Sequence, residues 1–307
     1  MQIVESHIHT YLSYCQWQKG LSAKTIKAYR IDLSDLQSFL HHQNRELDRE
    51  AVQTYIATLQ KKYKPKTVKR KIASIRAFCS FLEYEEILLP NPFSHLRIRL
   101  HIPMALPRTI PLPIIGQILH TAYHQKSRVD MTEFQHKEII RDVAVLELLF
   151  ATGMRVSEIC SLKKDSVDFI RGEIRILGKG AKERIIQLEN PEVQNAVREY
   201  MNTFKKEILL TSCFFVNRRL HQLSEQSVRE MINRYTKLAG IERHITPHMF
   251  RHSFATLLLE EDVDIRYIQR LLGHSSIATT QIYTHVSSKK QRDILIQKHP
   301  RNKINLQ

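Results

Sequence analysis

The chain has 307 residues, of which 42% are hydrophobic and 25% charged, a balance typical of globular protein and unlike that of disordered chains. Its 47 lysines and arginines against 31 acidic residues give a formal charge of +16, which predicts a polyanionic partner. Nucleic acid is the first candidate for this partner, and an anionic membrane is the second. No apolar stretch is long enough to cross a bilayer and the N-terminal sequence lacks a signal-peptide pattern, so we expect a cytoplasmic protein without membrane association.

Residues 1–89 show the periodicity of four helices. One apolar stripe follows Ser22, a residue suited to cap a helix, and comprises Ile26, Tyr29, Leu33, Leu36 and Leu40. Similar stripes precede Gly20, run through about residues 48–59 and start again near Thr67. Six of the ten prolines then fall between residues 90 and 113. The sequence therefore predicts a helical domain over residues 1–105, ended by a proline-rich linker.

The segment KKYKPKTVKRK joins the third and fourth predicted helices. A run of charge in most proteins is a solvated face, but this one opens a helix inside a basic domain. We therefore expect it to contact phosphates. The predicted DNA-binding residues are Lys61, Lys62, Lys64, Lys66, Lys69, Arg70 and Lys71.

Residues 106–307 form the second predicted domain. Helical patterns cover residues 113–123 and 133–151, and the period then changes to that of strands in VDFI, EIRIL and RIIQL between residues 167 and 188. Helical patterns resume at residues 192–204, 224–239, 247–260, 265–272 and 276–283. The expected fold class is mainly α with a small three-stranded antiparallel sheet.

Four strings place cations or proton-transfer groups beside a glycine, a proline or a helix end. They are ATGMRVSEI (151–159), GKGAKER (178–184), TPHMFRHSFAT (246–256) and LLGHSSIATTQIYTHV (271–286). The candidate catalytic residues in them are Arg155, Lys179, His248, Arg251, His274 and Tyr283.

These residue types suit phosphoryl transfer to a tyrosine. Two guanidiniums can bind the non-bridging oxygens of one phosphate while negative charge grows on them. A tyrosine oxygen can attack the phosphorus, but its pKa of about 10 calls for a nearby base such as a neutral histidine. A lysine at a hairpin tip can protonate the departing 5′ oxygen. Since every cation is a side chain, we expect neither a metal nor a cofactor.

Each candidate also has a purely structural explanation. An arginine such as Arg155 stabilises a helix C-terminus, and a lysine such as Lys179 is common in exposed turns. His248 and His252 are four apart, as in a zinc helix, but Met249 occupies the position where zinc proteases carry glutamate. The four cysteines have no CxxC spacing, which favours reduced thiols over zinc or disulfides. All six structural explanations would have to hold together, so we favour the catalytic interpretation.

The four strings resemble the tyrosine recombinase (phage integrase) family, and most closely its Xer branch. ATGMRVSE resembles the segment with the family's first catalytic arginine, GKGAKER its hairpin lysine, HMFRH its HxxR box, and LLGHSSIATTQIYTHV the box with a histidine and the nucleophile. The resemblance assigns these roles to Arg155, Lys179, His248 with Arg251, and His274 with Tyr283. It extends from SAKTIKAYRIDLSDLQSFL in the first domain to the end of the chain.

The resemblance implies a C-shaped clamp on double-stranded DNA, a 3′-phosphotyrosyl intermediate and a Holliday junction. It also implies a homotetramer on two sites, or a heterotetramer with a related recombinase, with the tail after Tyr283 docked on a neighbouring protomer or on its own domain. Dimer resolution, transposon resolution and integration all stay open as roles. The alternatives are a relaxing enzyme like type IB topoisomerases and a non-catalytic DNA-binding protein.

Overall fold

The protein is described by a computed structural model, which covers residues 2–98, 100, 107–178 and 183–273. The chain divides into two compact units, Met1–Met104 and Ala105–Gln307. Each unit has its own hydrophobic core. We describe the two units separately.

The first unit contains four helices, which confirms the helical prediction for this part of the chain. They are α1 (Gln2–Trp17), α2 (Ala23–His42), α3 (Arg49–Lys62) and α4 (Pro65–Tyr84). Ser22 caps α2 by accepting from the Thr25 amide at 3.2 Å, and Asp48 caps α3 by accepting from the Ala51 amide at 2.7 Å. Pro65 begins α4, where its missing N–H costs no hydrogen bond.

A buried carboxylate connects α2 and α4. Asp32 is fully buried and accepts hydrogen bonds from Arg70, from the Lys71 ammonium at 3.0 Å and from the Ser74 hydroxyl at 2.9 Å. Lys71 is only 3% exposed and also binds Asp35 at 2.6 Å. The structure does not favour the predicted DNA contact of Lys71, because its ammonium is enclosed within this unit by two carboxylates.

The second unit is mainly helical. Its helices are α5 (Leu112–Lys126), α6 (Glu133–Thr152), α7 (Val156–Cys160), α8 (Pro191–Thr203), α9 (Lys205–Leu209), α10 (Glu225–Leu238), α11 (Pro247–Glu260) and α12 (Ile265–Leu272). The periodic patterns predicted all but α7 and α9, which have five residues each and are too short to show a stripe. The helix predicted at residues 276–283 lies outside the described residues.

A three-stranded antiparallel sheet follows α7, as the change of period predicts. Its strands β1 (Val167–Asp168), β2 (Glu173–Leu177) and β3 (Glu183–Gln187) pair in sequence order. Val167 lies opposite Ile174 in the β1–β2 pair, and Leu177 lies opposite Glu183 in the β2–β3 pair. Ile174 and Ile176 turn into the core, while Arg175 and Leu177 face outward.

Helix α6 is the centre of the second core. It is buried on nearly every side from Ile140 to Leu149, which is typical of a helix surrounded by others. Thr132 and Gln135 form a capping box at its start. At its end Gly153 adopts φ +58°, a left-handed conformation that suits glycine. The chain therefore leaves α6 in a fixed direction, just before Arg155.

Candidate active site

Arg155 is fixed at the start of α7. Its amide donates to Glu158 Oε2 at 2.8 Å, and its Nη1 donates to Glu158 Oε1 at 2.7 Å. The side chain is nevertheless 36% exposed. Arg155 is thus oriented by a neighbouring carboxylate while part of its side chain is open to solvent.

Glu158 serves a second arginine as well. Arg184 on β3 donates from Nη1 and Nη2 to the two Glu158 oxygens at 3.1 and 2.7 Å. Burial raises the pKa of this carboxyl, but hydrogen bonds and charge from Arg184 and Arg155 outweigh burial and lower the pKa below its ordinary value. Glu158 is therefore ionised at neutral pH between two guanidiniums.

Arg251 joins two turns of the second unit. Its Nη1 donates to the Gly153 carbonyl at 2.8 Å, and its Nη2 donates to the Leu272 carbonyl at 2.6 Å. The residue is 4% exposed. One guanidinium therefore anchors both the turn that leads to Arg155 and the end of α12.

His248 lies on the first turn of α11, three residues before Arg251. Partial burial lowers its pKa, and the nearby charges of Arg251, Arg229 and Arg155 lower it further, while Glu225 opposes them. The ring is consequently neutral at pH 7. The structure thus brings Arg155, His248 and Arg251 into one electrostatic neighbourhood.

His252 follows one turn later and is also neutral. Burial, with smaller effects from His248 and Arg251, lowers its pKa to about 4. Within the described ranges, no cluster of three or more His, Cys, Asp or Glu side chains is placed to bind a metal. In the same part of the chain, no helix is both long and apolar enough to cross a membrane.

Three predicted catalytic residues, Lys179, His274 and Tyr283, lie outside the described residues. The elements beside two of them are described. Leu177 and Glu183 are paired across the hairpin in whose connecting segment Lys179 falls. Gly273, with φ +64°, ends α12 immediately before His274 in the sequence.

Two family models match the chain. The phage integrase family matches residues 124–290, and the phage integrase N-terminal SAM-like domain matches residues 8–86. The chain belongs to the phage integrase family. The resemblance seen in the four sequence strings is thereby confirmed.

Relatives of this phage integrase family member are named as recombinases. A tyrosine recombinase of Agathobacter rectalis is 52% identical over 98% of both chains. The tyrosine recombinase XerD of Staphylococcus haemolyticus is 36% identical over 97% of this chain and all of the relative. The protein is therefore a site-specific tyrosine recombinase of the Xer-like branch.

A solved structure shares the fold. The XerH site-specific recombinase bound to palindromic difH substrate, in a post-cleavage complex, matches with a TM-score of 0.71 at 20% identity. The match covers 93% of this chain and 83% of that chain. This agrees with the mainly helical fold and small sheet described above.

The recombinase's predicted DNA-binding segment is mostly on the surface of the first unit. The exposed basic residues at the end of α3 and the start of α4 are Lys61, Lys62, Lys64, Lys66, Lys69 and Arg70. Arg70 is paired with Asp32 while 47% of its side chain is exposed. Among the seven predicted residues, Lys71 alone is buried.

Sequence reasoning did not assign a role to Arg184. It lies in the quoted string GKGAKER, but its partners Glu158 and Leu271 are 26 and 87 residues away. A weak signal was available, because Arg184 lies only five residues beyond the predicted catalytic lysine, on the same hairpin. Only the folded chain brings these groups together.

Proposed function

We propose that this recombinase exchanges strands between two DNA sites through a 3′-phosphotyrosyl intermediate on Tyr283 and a Holliday junction. One observation carries the proposal. Arg251 is anchored to the carbonyl of Gly153, two residues before Arg155, and both guanidiniums act on the pKa of His248. Two arginines and a neutral histidine around one space suit a phosphate that gains negative charge as it is attacked.

Each side chain has a distinct part in the proposed reaction. The Tyr283 oxygen forms a bond to phosphorus while the bond from phosphorus to the 5′ oxygen breaks. His248, neutral at pH 7, takes the tyrosine proton, and Lys179 gives a proton to the departing 5′ oxygen. Arg155, Arg251 and His274 bind the phosphate oxygens. The reverse reaction with a partner's 5′ hydroxyl rejoins the strands, so neither ATP nor a metal cofactor is consumed.

The first unit grips the duplex in this proposal. Lysines and an arginine cluster where α3 ends and α4 begins, and no acidic residue lies in the first turn of α4. Cations at a helix N-terminus are unfavourable toward the helix dipole, whereas a phosphate placed there is favourable. Both units would then bind the same DNA, in the cytoplasm.

The proposed assembly is a homotetramer on two sites, or a heterotetramer with a related recombinase. The tail after Tyr283 docks on the neighbouring protomer and keeps each tyrosine inactive until the ring is complete. The biological setting is resolution of chromosome or plasmid dimers, or integration, excision or resolution of a mobile element. Neighbouring genes distinguish these settings.

A suicide-substrate experiment tests the proposal. A pool of nicked duplexes with randomised sequence is incubated with the protein, covalent adducts are recovered after denaturation, and their DNA is sequenced to define the site. A 3′ adduct that is lost in Tyr283→Phe, followed by strand exchange between two labelled copies of the site, supports the recombinase. Relaxation of supercoiled DNA without strand exchange supports a topoisomerase, and binding without any adduct supports a non-catalytic protein.

A further inference from the structure

Arg184 connects three separate segments of the second unit. From β3, its Nη1 and Nη2 bind both oxygens of Glu158 on α7, and its Nε donates to the carbonyl of Leu271 at 2.9 Å. A planar guanidinium can make such a fork of contacts at once, whereas a lysine ammonium cannot. Arg184 therefore connects strand β3, helix α7 and the end of α12.

The contact with Glu158 extends to Arg155. Glu158 binds the Arg155 amide at 2.8 Å and its guanidinium at 2.7 Å, so any movement of this carboxylate moves Arg155. The Glu158 side chain is only 6% exposed. Without Arg184, the Glu158 carboxylate would keep its contacts with Arg155 but lose its contacts with β3. Glu158 would then hold Arg155 less firmly in place.

Arg184 also packs against the end of α12 at Gly273. A methyl group built on Gly273 would lie 3.1 Å from Arg184 Nη1 and 3.2 Å from its Cδ. Arg251 holds the next carbonyl along, that of Leu272, at 2.6 Å. Consecutive carbonyls at the end of α12 thus bind two different arginines, and cations there also complement the helix dipole.

Every contact that the structure gives Arg184 is to a protein group. Its side chain is 11% exposed, against 36% for Arg155. Its Nε, Nη1 and Nη2 each donate to a protein oxygen. We therefore expect Arg184 to affect strand cleavage through the groups that it holds.

We propose that Arg184 is a positioning residue for strand cleavage, which acts through Glu158 to hold Arg155 against the scissile phosphate. This inference rests on the function proposed above. It assigns to Arg184 an effect on the rate of cleavage of bound DNA and none on the affinity for DNA.

The test compares Arg184→Lys with Arg175→Lys. Arg175 lies on the adjacent strand β2 and donates to the Asp165 carbonyl, away from Glu158. At saturating DNA, Arg184→Lys should form the covalent adduct about 10- to 100-fold more slowly, as expected when a catalytic group is misplaced by about 1 Å. Arg175→Lys should cleave at the wild-type rate, and both variants should bind DNA as the wild type does.

A second substrate separates positioning from a general structural role. A methylphosphonate at the scissile position lacks one charged non-bridging oxygen, so its cleavage depends less on a guanidinium. The rate loss of Arg184→Lys should shrink to less than about threefold on this substrate, because the interaction that is lost acts on that charge. An equal loss on the phosphate and methylphosphonate substrates would overturn the proposal.

The partner Glu158 supplies a second, independent variant. Glu158→Gln should show the same selective loss on the phosphate substrate, and the double variant should be no slower than Glu158→Gln alone. If the rate loss of the double variant equals the product of the two single losses, Arg184 does not act through Glu158. If wild-type protein forms no Tyr283 adduct, the proposed function fails, whereas wild-type rates in Arg184→Lys refute only this inference.

Discussion

Arg251 donates a hydrogen bond to the carbonyl oxygen of Gly153, 98 residues earlier in the chain, at 2.8 Å. The bond joins the HxxR box to the turn that presents Arg155. Because Arg251 also binds the Leu272 carbonyl, three of the four strings singled out in the sequence meet at one guanidinium. In the proposed reaction this guanidinium is preorganised for the phosphate, since the hydrogen bonds that fix it exist before DNA binds.

The turn at Gly153 should not tolerate a side chain. Its φ is +58°, and an added methyl would lie 2.5 Å from Phe254 Cδ1 and 3.0 Å from Leu272 Cδ2. We expect Gly153→Ala to lower the free energy of unfolding by about 2–5 kcal/mol, from left-handed strain plus overpacking. Adduct formation should fall with it, because both Arg155 and the end of α12 shift. Urea unfolding and the suicide-substrate assay measure the two effects.

Gly240 provides the matched control. It has φ +68°, but no atom lies within 4 Å of an added methyl. Gly240→Ala should therefore carry the backbone strain alone, about 1–2 kcal/mol, with cleavage unchanged. Equal stability losses in the two variants would show that contacts around Gly153 contribute nothing.

Much of this arrangement is foreseeable from the sequence, and the exceptions have physical reasons. Helices α2 and α4 have 20 residues each, long enough for the 3.6-residue period of their apolar stripes to be evident. The sheet is equally evident from its alternation. By contrast, the contacts of Arg184 join residues far apart in the chain, and no local pattern encodes them.

The burial of Lys71 could have been read from the helical phase. Val68, Lys71 and Ile75 are spaced i, i+3 and i+7, so Lys71 falls on the apolar face of α4. The high local charge obscured this spacing. The buried carboxylate of Asp32, which neutralises the Lys71 ammonium, lies on α2. Only the folded structure reveals this pairing.

The pH dependence of cleavage should report His248. Since its pKa lies below the ordinary 6.5, most of the rings stay neutral as pH falls from 8 to 6.5, and the rate should fall by less than about twofold there. Below that range, protonation removes the base and the rate should decline. Stopped suicide-substrate reactions across this pH range measure the inflection.

Arg229→Gln should move that inflection upward. Arg229 lowers the pKa of His248, and it is also paired with Glu225 at 2.8 Å, whose charge raises the same pKa. Removing the guanidinium therefore has two effects of the same sign. An inflection that stays in place would exclude His248 as the titrating base.

His252 should lower the free energy of unfolding in mild acid. Its pKa is about 4 in the folded protein and about 6.5 in the unfolded chain. Between these two values the unfolded chain binds a proton that the folded protein does not bind. Its contribution to stability is complete above pH 6.5 and is lost as pH falls toward 4. Urea unfolding at pH 7 and pH 5 should show a decline in the wild type that is smaller in His252→Asn. The ordinary pKa values of carboxyl groups lie below this window, so most of them do not obscure the comparison.

Lys69 and Lys71, two residues apart on α4, should respond in opposite ways to replacement by methionine. The Lys71 ammonium is enclosed by Asp32 and Asp35 and lies 5.1 Å from the centre of the Tyr63 ring, whereas Lys69 is exposed. Lys71→Met breaks a buried ion pair and should lower the free energy of unfolding by about 3–5 kcal/mol. Lys69→Met should change it by less than about 0.5 kcal/mol.

DNA binding should show the reverse. If Lys69 contacts a phosphate, Lys69→Met weakens binding to all sequences alike and reduces the slope of log K against log salt by about 0.9. Lys71→Met should leave that slope unchanged at temperatures where the protein stays folded, because its ammonium is already neutralised inside the unit. Fluorescence anisotropy titrations at several salt concentrations measure the slope. A smaller slope in Lys71→Met with an unchanged slope in Lys69→Met would mean that α4 presents a different face to DNA.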